Sequence, residues 1–279
     1  MSNFESASQA DGLTLQGYHW PVESPLAVVS LVHGFGEHCG RYQELATYLN
    51  AQRIAVVGVD LRGHGRTNSP RGFAASYEHL HEDLKALLHE ASNRYPTAPH
   101  FLFGHSMGGG LVLHHRASVG GDDPLAGYLV SAPLIETVRP ISGLLRFSVK
   151  TLSALFPKMT IPIAVSGKKV SSIAKEQNRY DQDPLNHNRL GLCLAVGMIE
   201  AGEKLVRDVP PACSQPLLIW HSKADQINDY AASHRFAATA NNCQFVPFDD
   251  VQHELHHDTT RERVHELMSN FIRETLHHK

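Results

Sequence analysis

Apolar runs too short to be helices, alternating with segments of helical period, limit the fold of this chain more than any single residue does. Leu26–Val32 (LAVVSLV) and Ile54–Val59 (IAVVGV) read as strands that are apolar at almost every position. His100–Phe103, Gly127–Val130, Pro216–Trp220 and Cys243–Phe248 continue the series. A strand with one wet face alternates apolar with polar residues, whereas a continuous apolar run has to be covered on both faces. Between these runs, Tyr42, Leu45, Ala46 and Leu49 fall on one helical face. Tyr77, Leu80, Leu84, Leu87, Leu88 and Ala91 form an amphipathic stripe, with Ser76 placed to cap that helix. Further helices are expected over Met107–Ser118, Ala231–Ala240 and Glu262–Leu276. Strands joined by helical crossovers give an α/β class: a mainly parallel sheet with helices on both faces and its chemistry-bearing loops at the carboxyl ends of the strands.

The rhythm breaks between Ala132-Pro133 and Pro210-Pro211, where helical patterns dominate. The expected organisation is therefore a sheet core in two parts, 1–132 and 212–279, with a helical cap inserted at 133–211. Within the cap, Ile141–Phe156 places Leu144, Leu145, Val149, Leu152, Leu155 and Phe156 on a broad apolar surface, with Arg146 and Lys150 elsewhere. Two readings fit that surface: a helix packed on the main domain, or a lid exposed to lipid or substrate. A chain of 279 residues that is 42% hydrophobic can bury the core such a sheet needs. A net charge of −3 without long basic runs argues against nucleic acid as a partner. Cys39, Cys193, Cys213 and Cys243 are widely spaced and unlike metal ligands, so reduced thiols in a cytoplasmic protein are expected. The polar segment Met1–Gly12 carries no secretion signal, and no apolar run approaches membrane-spanning length.

Gly104-His105-Ser106-Met107-Gly108 follows a strand-like run and opens a helix-like one. A serine hydroxyl is a poor nucleophile unless it is held exposed, beside a base and near donors that stabilise an oxyanion. A sharp strand-to-helix turn supplies that geometry, and flanking glycines remove the Cβ atoms that would clash in it. Gly108-Gly109-Gly110 lets the new helix lie close on the sheet. In doubly wound hydrolases the acid and then the histidine follow the nucleophile along the chain. Asp225 lies just past Pro216–Trp220, and His253 just past Cys243–Phe248, so order and strand-end position fit Ser106, Asp225 and His253. Asp249 and Asp250 are alternatives for the acid, although they share a loop with His253. The expected oxyanion donors are the backbone N–H groups of Met107, after the nucleophile, and Phe35, in the loop His33-Gly34-Phe35-Gly36-Glu37-His38 after the first apolar strand. His33 and His38 read as residues that hold this loop through hydrogen bonds.

Taken together, HGFGEH at 33–38, DLRGHGRT at 60–67, GHSMGG at 104–109, HSKAD at 221–225 and QHEL at 252–255 resemble the monoglyceride lipase branch of the α/β-hydrolase fold. Lysophospholipase-like and serine-aminopeptidase-like proteins group with that branch. The resemblance runs from Gly17 to about Leu276 and implies Ser106 as nucleophile, Asp225 as acid, His253 as base, and Phe35 and Met107 as oxyanion donors. It also implies a cap that shapes an acyl tunnel, and Asp183-Pro184-Leu185 resembles a short motif of such caps. Leu145, Val149 and Leu152 are the expected substrate-binding residues of the cap. Phe35 stands where the family usually has a smaller residue, which would narrow the leaving-group side; Thr67 and Ser222 also depart from commoner choices.

Two other patterns invite different chemistry. Asp60-Leu61-Arg62-Gly63-His64-Gly65 joins a carboxylate, a guanidinium and an imidazole, but its glycines suggest a tight loop fixed by a buried Asp–Arg interaction. His253-Glu254-Leu255-His256-His257 is a literal H-E-x-x-H, the zinc metalloprotease signature, which needs one helix through all five residues and a further ligand. Position after a strand favours the serine machinery for His253. The expected activity is therefore carboxylic ester hydrolysis through an acyl-enzyme, without cofactor or metal. The first-choice substrate is a monoacylglycerol or similar single-chain lipid ester; lysophospholipid is the alternative, with a thioester or amide behind it. Transient membrane-surface contact through the cap is expected to accompany that substrate.

Overall fold

A computed structural model of the protein describes residues 1–119, 124–208 and 213–277. The chain enters a sheet through β1 (Ser2–Ala7), β2 (Thr14–Trp20), β3 (Ala27–Val32), β4 (Ile54–Asp60), β5 (His100–His105) and β6 (Gly127–Ser131). It then leaves for a separate antiparallel ribbon of β7 (Thr160–Pro162) and β8 (Arg189–Gly191), and returns with β9 (Leu217–Ser222) and β10 (Cys243–Phe248). The main sheet has the order β1-β2-β4-β3-β5-β6-β9-β10, antiparallel at β1, β2 and β4 and parallel from β4 onward. This is the α/β-hydrolase fold. The strand order reverses between β3 and β5, so the loops leaving these two strands flank a crevice at their carboxyl ends, where open α/β sheets bind ligands.

Continuous apolar strands meet the expected fate: β3, β4, β6 and β9 are buried at every position. Their side chains divide with period two between the faces. Val28, Val32, Ala55 and Val57 join Leu80, Leu84, Leu87 and Leu111 on one face, which carries α2 (Tyr77–Arg94) and α3 (Met107–Val119). Val29, Leu31 and Val56 join Leu45, Leu49, Val264 and Met268 on the other, from α1 (Gln43–Ala51) and α9 (Arg261–His277). The β1–β2 hairpin had no counterpart in the sequence reading. As an edge strand, β1 is mostly exposed and anchors through Phe4, which lies against Gly17 and under the Arg94 guanidinium.

One local expectation is corrected, and a second is met through a distant carboxylate. The Ser76 hydroxyl bonds the His79 ring at 2.8 Å, with no side-chain cap bond to the helix backbone. The loop after β4 is fixed by Arg62, but its partners are Asp83 on α2 (2.7 and 2.9 Å) and Asp11 (2.9 Å). Asp60 instead accepts from the Cys39 and Arg66 backbone N–H groups, both at 2.8 Å. The left-handed φ of Gly63 and Gly65 allows the chain to curl around it.

Between β6 and β9 the described elements are α4 (Gly143–Leu155), β7, α5 (Gly167–Val170), α6 (Ala174–Gln182), β8 and α7 (Leu192–Arg207). The expected boundary at Pro210-Pro211 lies outside the described residues. α4 packs on α7, where Lys150 bonds Glu200 at 2.8 Å and Arg146 pairs with Glu203. Its only buried residue is Ser153, and Leu144, Phe147 and Leu155 are 78%, 70% and 66% exposed. The apolar surface is therefore exposed, while the helix itself packs on α7. α8 (Tyr230–Thr239) follows β9 on the core side.

Candidate active site

Ser106 sits between β5 and α3 with φ +53°, a conformation few non-glycine residues adopt. The strain is held by backbone bonds at 2.9 Å: the Ser106 N–H donates to the Ser131 carbonyl, and its own carbonyl accepts from Gly110 and Leu134. The glycines are required by contact. A Cβ on Gly104 would stand 2.4 Å from the Gly108 carbonyl oxygen, and one on Gly108 2.4 Å from that of Val32. The turn thus lifts Ser106 to the end of the sheet, where it lines a cavity.

His253, after β10, lines the same cavity as Ser106, and Asp225, after β9, stands directly behind it. His253 Nδ1 lies 2.6 Å from Asp225 Oδ2, and both residues are buried. The Ile227 and Asn228 N–H groups donate to the other carboxylate oxygen at 2.7 and 3.2 Å. Burial opposes ionisation of Asp225, but the His253 imidazole and the hydrogen bonds from His221 and His253 outweigh it and hold the carboxyl well below the usual range. Burial also works against a charged His253, yet the adjacent Asp225 carboxylate, with Glu254 and Glu37 behind it, raises its pKa. His105, whose ring lies 4.7 Å from that of His253, is pushed down to about 3 by burial and by His253, so it stays neutral. Asp249, the alternative acid, is exposed and pairs with Lys223 at 2.7 Å.

The loop after β3 reaches the serine from the other side. A Cβ on Gly34 would be 3.2 Å from that of Ser106, and Phe35 lines the same cavity, edge-on to His64 and His187. Met107 opens α3 directly after the nucleophile. His33 Nε2 accepts from the Leu61 N–H at 2.9 Å, and His38 bonds Asp183 at 3.0 Å, so both histidines do hold loops. Beneath the loop lies a buried charge cluster that sequence reasoning missed. Arg41 donates to Glu37 at 2.7 Å and to both Glu254 oxygens at 2.6 Å; Glu37 in turn accepts from the Gly34 N–H and the Tyr42 hydroxyl. Burial raises the Glu254 pKa despite Arg41, whereas Arg41 and His105 overcome burial and lower that of Glu37. The Glu37–Arg41 spacing of i, i+4 was a readable signal, but the partner Glu254 lies 213 residues away.

This cluster also answers the H-E-x-x-H pattern. Its five residues form no single helix: only Leu255–His257 makes a short 3₁₀ turn, and the Glu254 carboxylate is taken by Arg41. Glu37, His105 and Glu254 bring ligand-type atoms within 4.8 Å of one another, yet the Arg41 guanidinium already bonds both carboxylates.

The cavity measures about 480 Å³ and is lined mainly by apolar side chains from the sheet loops and the helical segment, among them Ile163, Val165, Leu190, Met198 and Ile227. Leu145, Val149 and Leu152 are not among its lining residues: α4 turns Arg146 toward the cavity, and Leu145 and Leu152 lie exposed on its surface. Another lining residue, Asn228, escaped sequence reasoning. Its amide donates to the Ala132 carbonyl at 2.8 Å and reaches Ser106 Oγ at 3.4 Å. The same helical segment ties down both loops. The His187 N–H donates to the Gly36 carbonyl at 2.9 Å and the Glu254 N–H to that of Val170 at 2.7 Å, while the Ser171 hydroxyl bonds the His257 carbonyl at 2.8 Å. Gly36, at φ +75°, passes so close to His187 that a Cβ would lie 2.4 Å from its carbonyl oxygen. A strained serine, an imidazole backed by a buried carboxylate and a covered apolar cavity together equip the site for acyl transfer.

Comparison with known proteins agrees with this chemistry. The sequence profile of the serine aminopeptidase, S33, hydrolase family matches residues 23–260. An uncharacterised abhydrolase domain-containing protein of Dictyostelium discoideum is 31% identical over 99% of the chain, which spans 29% of that longer protein. A monoacylglycerol lipase of Mycolicibacterium smegmatis is 28% identical over 90% of each chain. Among solved structures, the monoacylglycerol lipase of Paleococcus ferrophilus superposes with a TM-score of 0.83 at 25% identity, covering 94% of this chain and 99% of that one.

Proposed function

The chain belongs to the serine aminopeptidase, S33, family and is an ester hydrolase; from that premise we propose that it cleaves carboxylic esters of single-chain lipids, monoacylglycerols first, through an acyl-enzyme on Ser106. The observation that carries the mechanism is the 2.6 Å bond from the buried His253 imidazole to Asp225, on the rim of the cavity that Ser106 lines. His253 takes the Ser106 proton as Oγ attacks the ester carbonyl, and the Phe35 and Met107 N–H groups hold the oxyanion. His253 then protonates the leaving alcohol and activates the water that releases the acid. Asp225 stays ionised throughout and keeps the imidazole oriented.

The substrate class rests on the cavity. A volume of about 480 Å³ with apolar walls suits a single acyl chain. Glu136, Glu203 and Asp229 line it beside one arginine, Arg146, a balance that favours a neutral glycerol headgroup over an anionic phosphodiester. The exposed apolar face of α4 supports transient contact with the lipid surface that supplies the substrate. No helix among the described residues is long and apolar enough to cross a membrane. The four free cysteines fit a reducing, cytoplasmic compartment.

The test is an acyl-length series of glycerol and aryl esters. Each buried methylene contributes about 0.8 kcal/mol, so kcat/KM rises by up to roughly fourfold per carbon, to at least about eight carbons, before levelling off. Ser106→Ala abolishes hydrolysis and fluorophosphonate labelling while the fold persists. Activity surviving in that variant, or a steady preference for acetyl over octanoyl esters, would overturn the reading.

A further inference from the structure

His221, the penultimate residue of β9, is fully buried, and neither its place in the sequence nor the acyl-transfer steps give it a part. Its Nε2 lies 2.8 Å from Asp225 Oδ2, the same oxygen that receives His253 Nδ1 at 2.6 Å. Its Nδ1 lies 2.8 Å from the hydroxyl of Ser233 on α8, also fully buried. An ionised carboxylate can only accept, so both imidazoles present an N–H to Oδ2. His221 thereby gives its Nε2–H to Asp225, while its Nδ1 and the Ser233 hydroxyl share the second bond. The result is a carboxylate with an imidazole on each side: His253, which lines the cavity with Ser106, and His221, paired with Ser233 and sealed in the core.

We propose that the sealed pair is part of the hydrolytic machinery, with His221 acting as a positioning residue that locks the Asp225 carboxylate and shares its Oδ2 with His253. This rests on the assignment of Ser106, Asp225 and His253 as the reacting triad. Two consequences follow from the geometry. Backbone donors grip Oδ1 through Ile227 and Asn228, and among the described residues only His221 opposes rotation of Oδ2 away from His253 on the remaining side. In addition, an oxygen that accepts two N–H donors offers each less charge than it would offer one. Without His221, that charge falls on His253 alone and stabilises its protonated form, the form that cannot act as base. The other charged groups facing His253, Glu37 and Glu254 with their Arg41 partner, stay in place, and His105 beside it stays neutral. Their effect is therefore common to all variants compared.

The experiment compares the full-length protein with His221→Leu, which removes the donor, and His221→Gln, whose amide nitrogen takes the place of Nε2. The readouts are kcat, KM and the pH profile of kcat/KM on a soluble octanoyl aryl ester, with circular dichroism to verify the fold. Loss of a residue that orients a catalytic group typically costs about 10–100-fold. The expected result for His221→Leu is a fall of that size in kcat with KM little changed. The acid limb of its profile should move to higher pH by about half a unit or more, and His221→Gln should recover most of both effects. Should His221→Leu fail to fold, Ser233→Ala tests the outer end of the pair and gives a smaller loss with the same displacement of the acid limb. An unmoved acid limb, or equal losses in Leu and Gln variants, would reduce His221 to packing. That failure is distinct from failure of the triad, which an active Ser106→Ala would reveal.

Discussion

Replacing Arg41 with Met deletes one guanidinium and leaves two carboxylates facing each other in the core. Arg41 makes charge-assisted bonds of 2.7, 2.6 and 2.6 Å to Glu37 and Glu254, and all three side chains are at most 5% exposed. Removing one partner of a buried ion pair costs about 3–5 kcal/mol, because the remaining charge has neither water nor a counterion. With about 2.1 cal/mol/K of unfolding entropy per residue, a chain of 279 residues should lose roughly 5–9 °C in Tm. The loss also depends on pH. Burial already raises the Glu254 pKa with Arg41 in place, and without it the folded value climbs further above the unfolded value of about 4.3. A carboxyl raised in this way favours the folded state below its unfolded pKa, and that contribution vanishes as pH rises through the folded one. The variant should therefore lie further below the wild type at pH 8 than at pH 5.5. Adding Glu254→Gln removes one of the stranded charges and should restore half or more of the loss. Thermal unfolding followed by far-ultraviolet circular dichroism at both pH values decides the matter. A fall below about 2 °C, an equal fall at both pH values, or no recovery in the double variant would refute the reasoning.

Two further outcomes are expected. Because Asp225 raises the His253 pKa and the base must be neutral to act, kcat/KM on a soluble ester should fall with decreasing pH, with its midpoint above the ordinary histidine value of about 6.5; a pH–rate profile measures this, and a midpoint below that value would contradict the pairing. Leu144→Ser combined with Phe147→Ser should lower hydrolysis of vesicle-borne monoacylglycerol by about tenfold or more while leaving a short soluble ester little affected, since each apolar side chain is worth about 1.5–3 kcal/mol on burial; equal losses on both substrates would rule out contact with lipid.

The sheet was legible because its inner strands are apolar on both faces, a pattern that few arrangements besides a doubly covered sheet can satisfy. Where burial is one-sided or slight the signal fades, and β1, mostly exposed at the sheet edge, was lost for that reason. Ser106, Asp225 and His253 were singled out by their positions after β5, β9 and β10; in the structure Ser106 and His253 line one cavity, and Asp225 bonds His253 behind it. Spacing says nothing about residues that meet only through the fold, so the Arg41–Glu254 pair, the Asn228 amide and the His221–Asp225 bond went unseen. The stripe at 141–156 shows a different limit. Helical periodicity reveals that a face is apolar but not what it faces. Here it faces outward, and the cavity takes its walls from Ile163, Val165, Leu190 and Met198 instead.

The ties from His187 to Gly36, from Val170 to Glu254 and from Ser171 to His257 make the helical segment more than a cover. They stitch together loops that lie near opposite ends of the chain, by way of residues encoded between them. A nascent chain could complete the serine turn once β5, α3 and the chain through Ser131 and Leu134 are in place, yet the loop at Gly36 would still lack its fastening and the loop at Glu254 would not yet exist. Such an intermediate carries a nucleophile but no working enzyme, a built-in latency that lasts until the insertion docks. For protein engineers, grafting a foreign insertion between β6 and β9 to change selectivity would also sever these fastenings. The graft would then have to supply its own carbonyl, N–H and hydroxyl at the same three points before turnover returned.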